Sequence, residues 1–229
     1  MSTTFDVSNA EQRAAAISAA KETLGEKRCI VLPTDTVYGI GADAFSPQGV
    51  AMLMASKGRS RNMPPPVLIA QVATMDGLAR DIPDEARKLA EAFWPGALTL
   101  ILQAQPSLTW DLGETRGTVA LRVPNDDTAL ELLGATGPLA VSSANRTGQP
   151  AATTVEEAIA QLGESVDVYL DGGARGSSDG GATLPSTIVD ATGETLRVVR
   201  AGAIDIGELR VVVPNIMDVE EPQAPSQDA

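Results

Sequence analysis

The chain predicts an α/β fold: one domain built on a mixed sheet with flanking helices. Three observations carry this. Strand and helix signals alternate along nearly the whole chain. No linker rich in Pro, Gly or Ser divides it in the middle. A length of 229 residues with 43% hydrophobic content is enough for one sizeable core.

The elements follow in order. Ser8-x-x-Glu11 fits a capping box, with Ile17 and Leu24 a heptad apart among alanines and Gly25 as the stop. Cys29 to Pro33 reads as a buried strand running into a loop of hydroxyls and glycines. Ser46-Pro47 opens a second helix whose apolar face is Val50, Leu53 and Met54, ending near Lys57-Gly58. The proline-rich stretch Arg59 to Pro66 excludes helix, and Val67 to Ala70 is a strand candidate. Pro83 to Phe93 has a helical apolar face through Ala86, Leu89, Ala90 and Phe93, broken by Trp94-Pro95-Gly96. Leu98 to Leu102 and Thr118 to Val123 are strands, and a helix runs from about Asp126 to Leu133. Leu139 to Ser142 is a short strand entering Ser143-Ala144-Asn145. Thr154-x-x-Glu157 is a second capping box, opening a helix to about Leu162. Val166 to Leu170 is a strand, Asp171 to Gly181 a glycine-serine loop, and Thr187 to Val189 with Leu196 to Val199 a final strand pair. Ile204 to Arg210 fits a short helix. The predicted domain therefore spans 8–210. Residues 214–229, with four acidic and no basic side chains, read as a disordered acidic tail.

Composition narrows the chemistry. A net charge of −13 disfavours phosphate binding over the whole surface, so a cationic site must be local. Aromatics at 3% argue against a stacking platform for single strands. With no histidine, the Ser-His-Asp and Cys-His mechanisms and histidine-ligated zinc are excluded. The single Cys29 sits in an apolar run and reads as a small buried hydrophobe. No signal-peptide pattern and no run of about 18 apolar residues is present, so a cytoplasmic protein away from membranes is expected.

Several polar clusters are candidates for function. In an extended segment Lys57, Arg59 and Arg61 would face one way, forming either a solvated basic edge or an anion site. Gly39-Ile40-Gly41-Ala42 matches neither the dinucleotide nor the P-loop fingerprint. Ser142-Ser143-Ala144-Asn145 is either a turn or a polar loop at the carboxyl edge of a sheet, where ligands bind in open α/β folds. Carboxylates are scattered without metal-ligand spacing, so a divalent ion would arrive with a phosphate ligand.

Taken together and in order, these stretches resemble the YrdC-like family over about residues 10 to 206. Pro33-Thr34-Asp35-Thr36-Val37-Tyr38-Gly39-Ile40-Gly41 is similar to its opening P-T-E/D-T-V-Y-G-L/I-G. Lys57-Gly58-Arg59 resembles its K-x-R motif, and Phe93-Trp94-Pro95-Gly96-Ala97-Leu98-Thr99 its W-P-G-P-L-T segment. Val119 to Pro124 resembles V-A-x-R-x-P, and Ser143-Ala144-Asn145 resembles S-x-N. Ser186 to Asp190 and Arg200 to Ile204 resemble the closing S-T-I/V-x-D and R-x-G-x-I.

The resemblance implies a twisted open sheet enclosing a large basic cavity, and L-threonylcarbamoyladenylate synthase activity of the single-domain form. Such enzymes combine L-threonine, bicarbonate and ATP, with Mg2+ on the phosphates, and release pyrophosphate. Partner proteins then move the threonylcarbamoyl group onto tRNA beside the anticodon, so contact with tRNA itself can be indirect. Carried over by motif, Lys57 and Arg59 would hold phosphate oxygens and act as the catalytic cations. Thr118, Ser143, Asn145 and Arg200 would line the adenylate side. Thr36, Arg122 and Ser186 would hold threonine, with Arg122 on its carboxylate, and Tyr38 would shape the floor. No protein metal ligand is implied. Leu68, Pro185 and Ala151 depart from the family pattern, which keeps open a paralogue with another carbamoyl acceptor. An RNA-binding module is the alternative from a different class.

Overall fold

The fold comes from a computed structural model that describes residues 2–176 and 184–219. Its strands are β1 (Thr3–Asp6), β2 (Ile30–Leu32), β3 (Gly39–Asp43), β4 (Val67–Leu68), β5 (Ala79–Arg80), β6 (Leu98–Ala104), β7 (Thr118–Arg122), β8 (Leu139–Ser143), β9 (Val168–Asp171), β10 (Thr187–Asp190) and β11 (Arg197–Arg200). Its helices are α1 (Ala10–Gly25), α2 (Pro47–Lys57), α3 (Met75–Leu78), α4 (Asp84–Phe93), α5 (Asp127–Thr136), α6 (Val155–Leu162) and α7 (Ile206–Val212). The strands join in one sheet in the order β1-β9-β2-β3-β8-β4-β7-β6-β10-β11, with β5 on β6. Strand β9 runs parallel to β1 and β2, β4 to β7, and β6 to β10; the other pairs are antiparallel. The mixed α/β sheet expected from the alternation of signals is present.

Strand alternation divides the residues between two faces. In β2, Ile30 and Leu32 pack with Ala16, Ile17 and Ala20 of α1 and Leu132 and Leu133 of α5, while Val31 packs with Leu53 of α2 and Ala158 of α6. In the other half of the sheet, Leu98, Leu100 and Leu102 of β6 and Leu121 of β7 join Leu89 of α4 and Leu209 of α7 in the largest core cluster. The intervening residues Thr99, Ile101, Ala120 and Arg122 face a cavity instead. The same strands thus build a core on one side and a polar wall on the other.

Several expectations change. Asn9, not Ser8, caps α1: its side-chain oxygen accepts from the N–H of Glu11 at 2.9 Å and of Gln12 at 3.3 Å. Ser8 instead donates its hydroxyl to Asp6. The ordered domain begins before residue 8, because β1 adds to β9; its largely exposed Thr-Thr-Phe-Asp has no apolar alternation to betray it. At the other end, Ile216 is buried, and Met217 bonds Leu196 and Val198 through backbone groups at 2.9 Å. Residues 214–219 therefore belong to the fold, and the rest of the expected tail lies outside the described residues, as does 177–183 of the expected glycine-serine loop.

β3 forms where the sequence pattern predicts a loop, and two of its five residues are glycine. A Cβ at Gly39 would stand 2.6 Å from Val141 Cγ1, so the glycine is what lets β3 seat against β8. Gly202 is tighter still: a Cβ there would lie 2.3 Å from the Pro185 carbonyl oxygen and 2.6 Å from the Thr187 nitrogen, both backbone atoms. Gly202→Ala is expected to lower stability by about 1–3 kcal/mol, because the clash is with backbone that cannot rotate away. Urea unfolding at constant slope measures this, and an unchanged midpoint would contradict the close approach.

Candidate functional site

A cavity of about 310 Å³ opens on the polar wall of the sheet. One side is the turn between β2 and β3. Thr34 fixes it: its hydroxyl donates to the Val37 carbonyl at 2.6 Å and accepts from the Thr36 N–H at 3.2 Å. Thr36 and Tyr38 from this turn line the cavity. Tyr38 donates its hydroxyl to the Gly173 carbonyl at 2.7 Å, and the Arg175 guanidinium lies 5.8 Å from its ring centre.

Three guanidiniums enter from different elements. Arg122 ends β7 and is only 6% exposed. Its Nε donates to the Gly96 carbonyl at 2.9 Å, one terminal nitrogen to Thr36 Oγ1 at 3.2 Å and the other to Asp35 at 2.6 Å. Burial pulls the pKa of Arg122 down, and the Asp35 carboxylate counters that pull. Arg200 ends β11 and donates to the Ser186 carbonyl at 2.6 Å and hydroxyl at 2.9 Å; the Ser186 hydroxyl also meets Thr99 Oγ1 at 2.8 Å. Arg59 follows α2 and donates to the carbonyls of Met63 (2.5 Å) and Pro64 (3.3 Å) and to the Ser142 hydroxyl (2.9 Å). Burial, then Arg122 and Arg59, lower the pKa of Arg200, so the three charges share one field. An arginine nevertheless stays protonated in water at any ordinary pH, and like charges held close by backbone anchors favour an anion between them.

The sequence-predicted residues divide into two groups. Thr36, Arg59, Thr118, Arg122, Ser143, Ser186 and Arg200 line the cavity. Lys57 and Asn145 stand behind the wall. Lys57 is 3% exposed, and its ammonium donates to the Ser143 carbonyl, to the Asn145 carbonyl at 2.5 Å and to Asn145 Oδ1 at 3.3 Å. An ammonium has three N–H donors, and all three are accounted for. The Asn145 amide in turn donates to the carbonyls of Arg146 and Gln149. Lys57 therefore holds the end of β8 in place, with no donor left for a ligand in this arrangement.

The shared-face expectation for the three cations is also corrected. Lys57 is the last residue of α2 and Gly58 takes the left-handed conformation, φ 63°, so the chain turns between Lys57 and Arg59. Arg61 points away to an exposed pair with Asp111 at 2.6 Å, outside the cavity lining. Leu68, Pro185 and Ala151, the three departures from the family pattern, all line the cavity. Sequence reasoning passed over Asp35, Ser142 and Thr99. Each lies inside or beside a motif already singled out, but nothing in the sequence says that their side chains meet an arginine or a serine there. Cys29 is fully buried and its thiol is pushed up to about 12, first by burial, so it is inert as a nucleophile. Among the described residues no cluster of three or more Asp, Glu, Cys or His side chains could cage a metal, and no helix is long and apolar enough to cross a membrane.

Fold and cavity define a class first: a mixed α/β protein whose sheet carries a guanidinium-lined cavity. Comparison then gives the family. A family profile described as Telomere recombination, Sua5/YciO/YrdC, matches residues 22–202, and the chain belongs to that family. A Mycobacterium leprae protein, assigned provisionally by its name to the threonylcarbamoyl-AMP synthases, is 49% identical over 213 residues, 93% of this chain and 94% of its own length. A Bacillus subtilis threonylcarbamoyl-AMP synthase is 34% identical over 199 residues, 86% of this chain and 56% of its own length. The crystal structure of Pyrococcus abyssi Sua5 complexed with L-threonine matches with a TM-score of 0.82 at 31% identity, over 88% of this chain and 58% of that one. The chain thus spans a little over half the length of the Bacillus and Pyrococcus proteins.

Burial, and then Arg59, push Lys57 down to about 8 from its ordinary 10.5. The unfolded chain then holds a proton that the folded chain has lost between those values, so stability rises with pH across this window. Wild type is expected to gain stability relative to Lys57→Met from pH 8 to about 10.5, with a constant difference below pH 8. Urea titrations at pH 7, 8.5 and 10 measure it; a difference that stays flat throughout contradicts the buried charge.

Proposed function

We propose that this chain is a threonylcarbamoyl-AMP synthase, joining L-threonine, bicarbonate and ATP and releasing pyrophosphate. One observation carries the reading: three guanidiniums from three separate elements converge on one cavity rimmed by hydroxyls. That set suits a ligand pair with a carboxylate and a polyphosphate. The volume is in the range of sites that enclose small molecules.

The chemistry balances in two steps. Bicarbonate takes up a proton and loses water to give carbon dioxide; the neutral threonine amine nitrogen bonds to its carbon, and the N–H proton released on forming the carbamate goes to solvent. A carbamate oxygen then bonds to the α-phosphorus, and the bond to the bridging oxygen breaks, pyrophosphate leaving with the electron pair. Such transfer depends on positioning and charge neutralisation more than on a side-chain nucleophile. A chain without histidine and with an inert cysteine is compatible with that.

In this reading Arg122 binds the threonine carboxylate, with Thr36 and Ser186 alongside. Arg59 and Arg200 neutralise phosphate oxygens, and Thr118 and Ser143 line the adenylate side. Lys57 and Asn145 serve by holding Ser143 from behind. Among the described residues no carboxylate cluster could cage a divalent ion, so Mg2+ would be held by the phosphates of ATP and would supply charge neutralisation there. The product passes to partner proteins that modify tRNA, and the reading includes a cytoplasmic location, where ATP and tRNA meet. A second reading rests on Leu68, Pro185 and Ala151, which all face the ligand space: a paralogue would keep carbamate adenylation with another amine acceptor.

Purified protein with Mg2+ and ATP is expected to release pyrophosphate only when threonine and bicarbonate are both present. No release under those conditions ends the synthase reading, and release with another amine in place of threonine selects the paralogue. Arg59→Ala is expected to cut turnover on the order of 10²-fold or more, the loss typical of a preorganised donor at developing charge. An unchanged rate removes Arg59 from the reacting centre.

A further inference from the structure

We propose that Asp35 is a positioning residue for the amino-acid substrate, gripping the Arg122 fork from behind so that its remaining N–H groups aim into the cavity. This rests on the reading of Arg122 as the carboxylate anchor.

Arginine has five N–H donors. Arg122 gives Nε–H to the Gly96 carbonyl, one N–H to Thr36 Oγ1 and one to Asp35 Oδ1. Two N–H groups remain, one on each terminal nitrogen. Neighbours in sequence, Asp35 and Thr36, thus hold the two prongs of one fork. Their backbone is itself fixed by the Thr34 hydroxyl, which bonds both Thr36 N–H and the Val37 carbonyl. Asp35 and Arg122 side chains are only 14% and 8% exposed, and Asp35 does not line the cavity, so the pair is a support rather than part of the ligand surface.

Charge gives Asp35 a second reason to be there. Arg122 and Arg59 both act on Arg200 at the cavity, and among the described residues Asp35 is the carboxylate paired with this group. A buried guanidinium without a counter-charge is driven toward solvent or toward any carbonyl within reach. Asp35 removes that pull on Arg122, while Arg59 and Arg200, which pair with no carboxylate among the described residues, remain for the phosphates. The prediction is therefore selective: loss of Asp35 harms threonine binding and does not harm nucleotide binding.

The test is calorimetric titration of L-threonine, and separately of ATP with Mg2+, into the full chain as wild type, Asp35→Asn and Asp35→Glu. Asp35→Asn is expected to weaken threonine about tenfold or more, as losses of a charge-assisted supporting contact do, with ATP affinity unchanged or improved. Asp35→Glu keeps the carboxylate and is expected to hold threonine affinity within about threefold of wild type. Equal weakening of threonine and ATP would mean general loosening and overturn the proposal. So would unchanged threonine binding in Asp35→Asn, or tighter binding, which would make Asp35 a competitor for the fork. If Asp35→Asn does not fold, Asp35→Ser gives the same readout. Wild type that binds no threonine defeats the proposed function itself, whereas wild type and Asp35→Asn binding alike defeats only the role of Asp35.

Discussion

A guanidinium sealed into a protein wall must be compensated on every side, and Arg122 shows how much structure that requires. Its three contacts come from two segments: the Gly96 carbonyl after α4, and the Thr36 hydroxyl and Asp35 carboxylate side by side in the β2–β3 turn. Those segments are far apart in sequence and can meet only if β7 pairs with β6 on one side and β4 on the other. The sheet order and the buried charge therefore depend on each other. An unpaired Arg122 would cost several kcal/mol, and a misregistered β7 would turn it into the apolar core.

The same strand period explains why one sheet carries both a core and a site. Leu98, Leu100 and Leu102 alternate with Thr99 and Ile101, and Leu121 alternates with Ala120 and Arg122. Helices cover the leucine face, while the polar face closes over the cavity with Pro64 to Pro66 and the turn at Thr36 as its other walls. The cavity is thus a by-product of leaving part of one sheet face uncovered by helix. Backbone carbonyls then steady the cations: Met63 and Pro64 hold Arg59, and Ser186 holds Arg200. Little of each arginine's freedom remains to be lost when a ligand arrives.

Much of this was legible in the residues. Ser46-Pro47 does start α2, and Gly58 does end it. The polar end of β8 and the strands after Pro95 and Gly117 fall close to where periodicity puts them. What periodicity missed was β1, whose few polar residues acquire strand structure only from β9, and β3, whose glycines hide a strand that exists because β2 and β8 flank it. The K-x-R resemblance implies a ligand contact for Lys57, and the alternate spacing of the cations allows a shared face with Arg59. One left-handed glycine breaks that logic, and the ammonium turns to the carbonyls of Ser143 and Asn145.

The sequence by itself determined the fold class, most helix starts and stops, and the inventory of chemistry: hydroxyls, an amide and guanidiniums, with no imidazole and no accessible thiol. Those are local matters of residue type and spacing, and they survive in any fold the chain adopts. Only the tertiary structure decided which cations face the cavity, which serve as struts, and that Arg61 belongs to a surface pair with Asp111. Such roles depend on partners tens of residues away, 87 positions in the case of Asp35 and Arg122, and no local pattern encodes that distance. They are set when burial forces each charged group to find a counter-charge or a carbonyl within reach, which happens only once the sheet has closed around it.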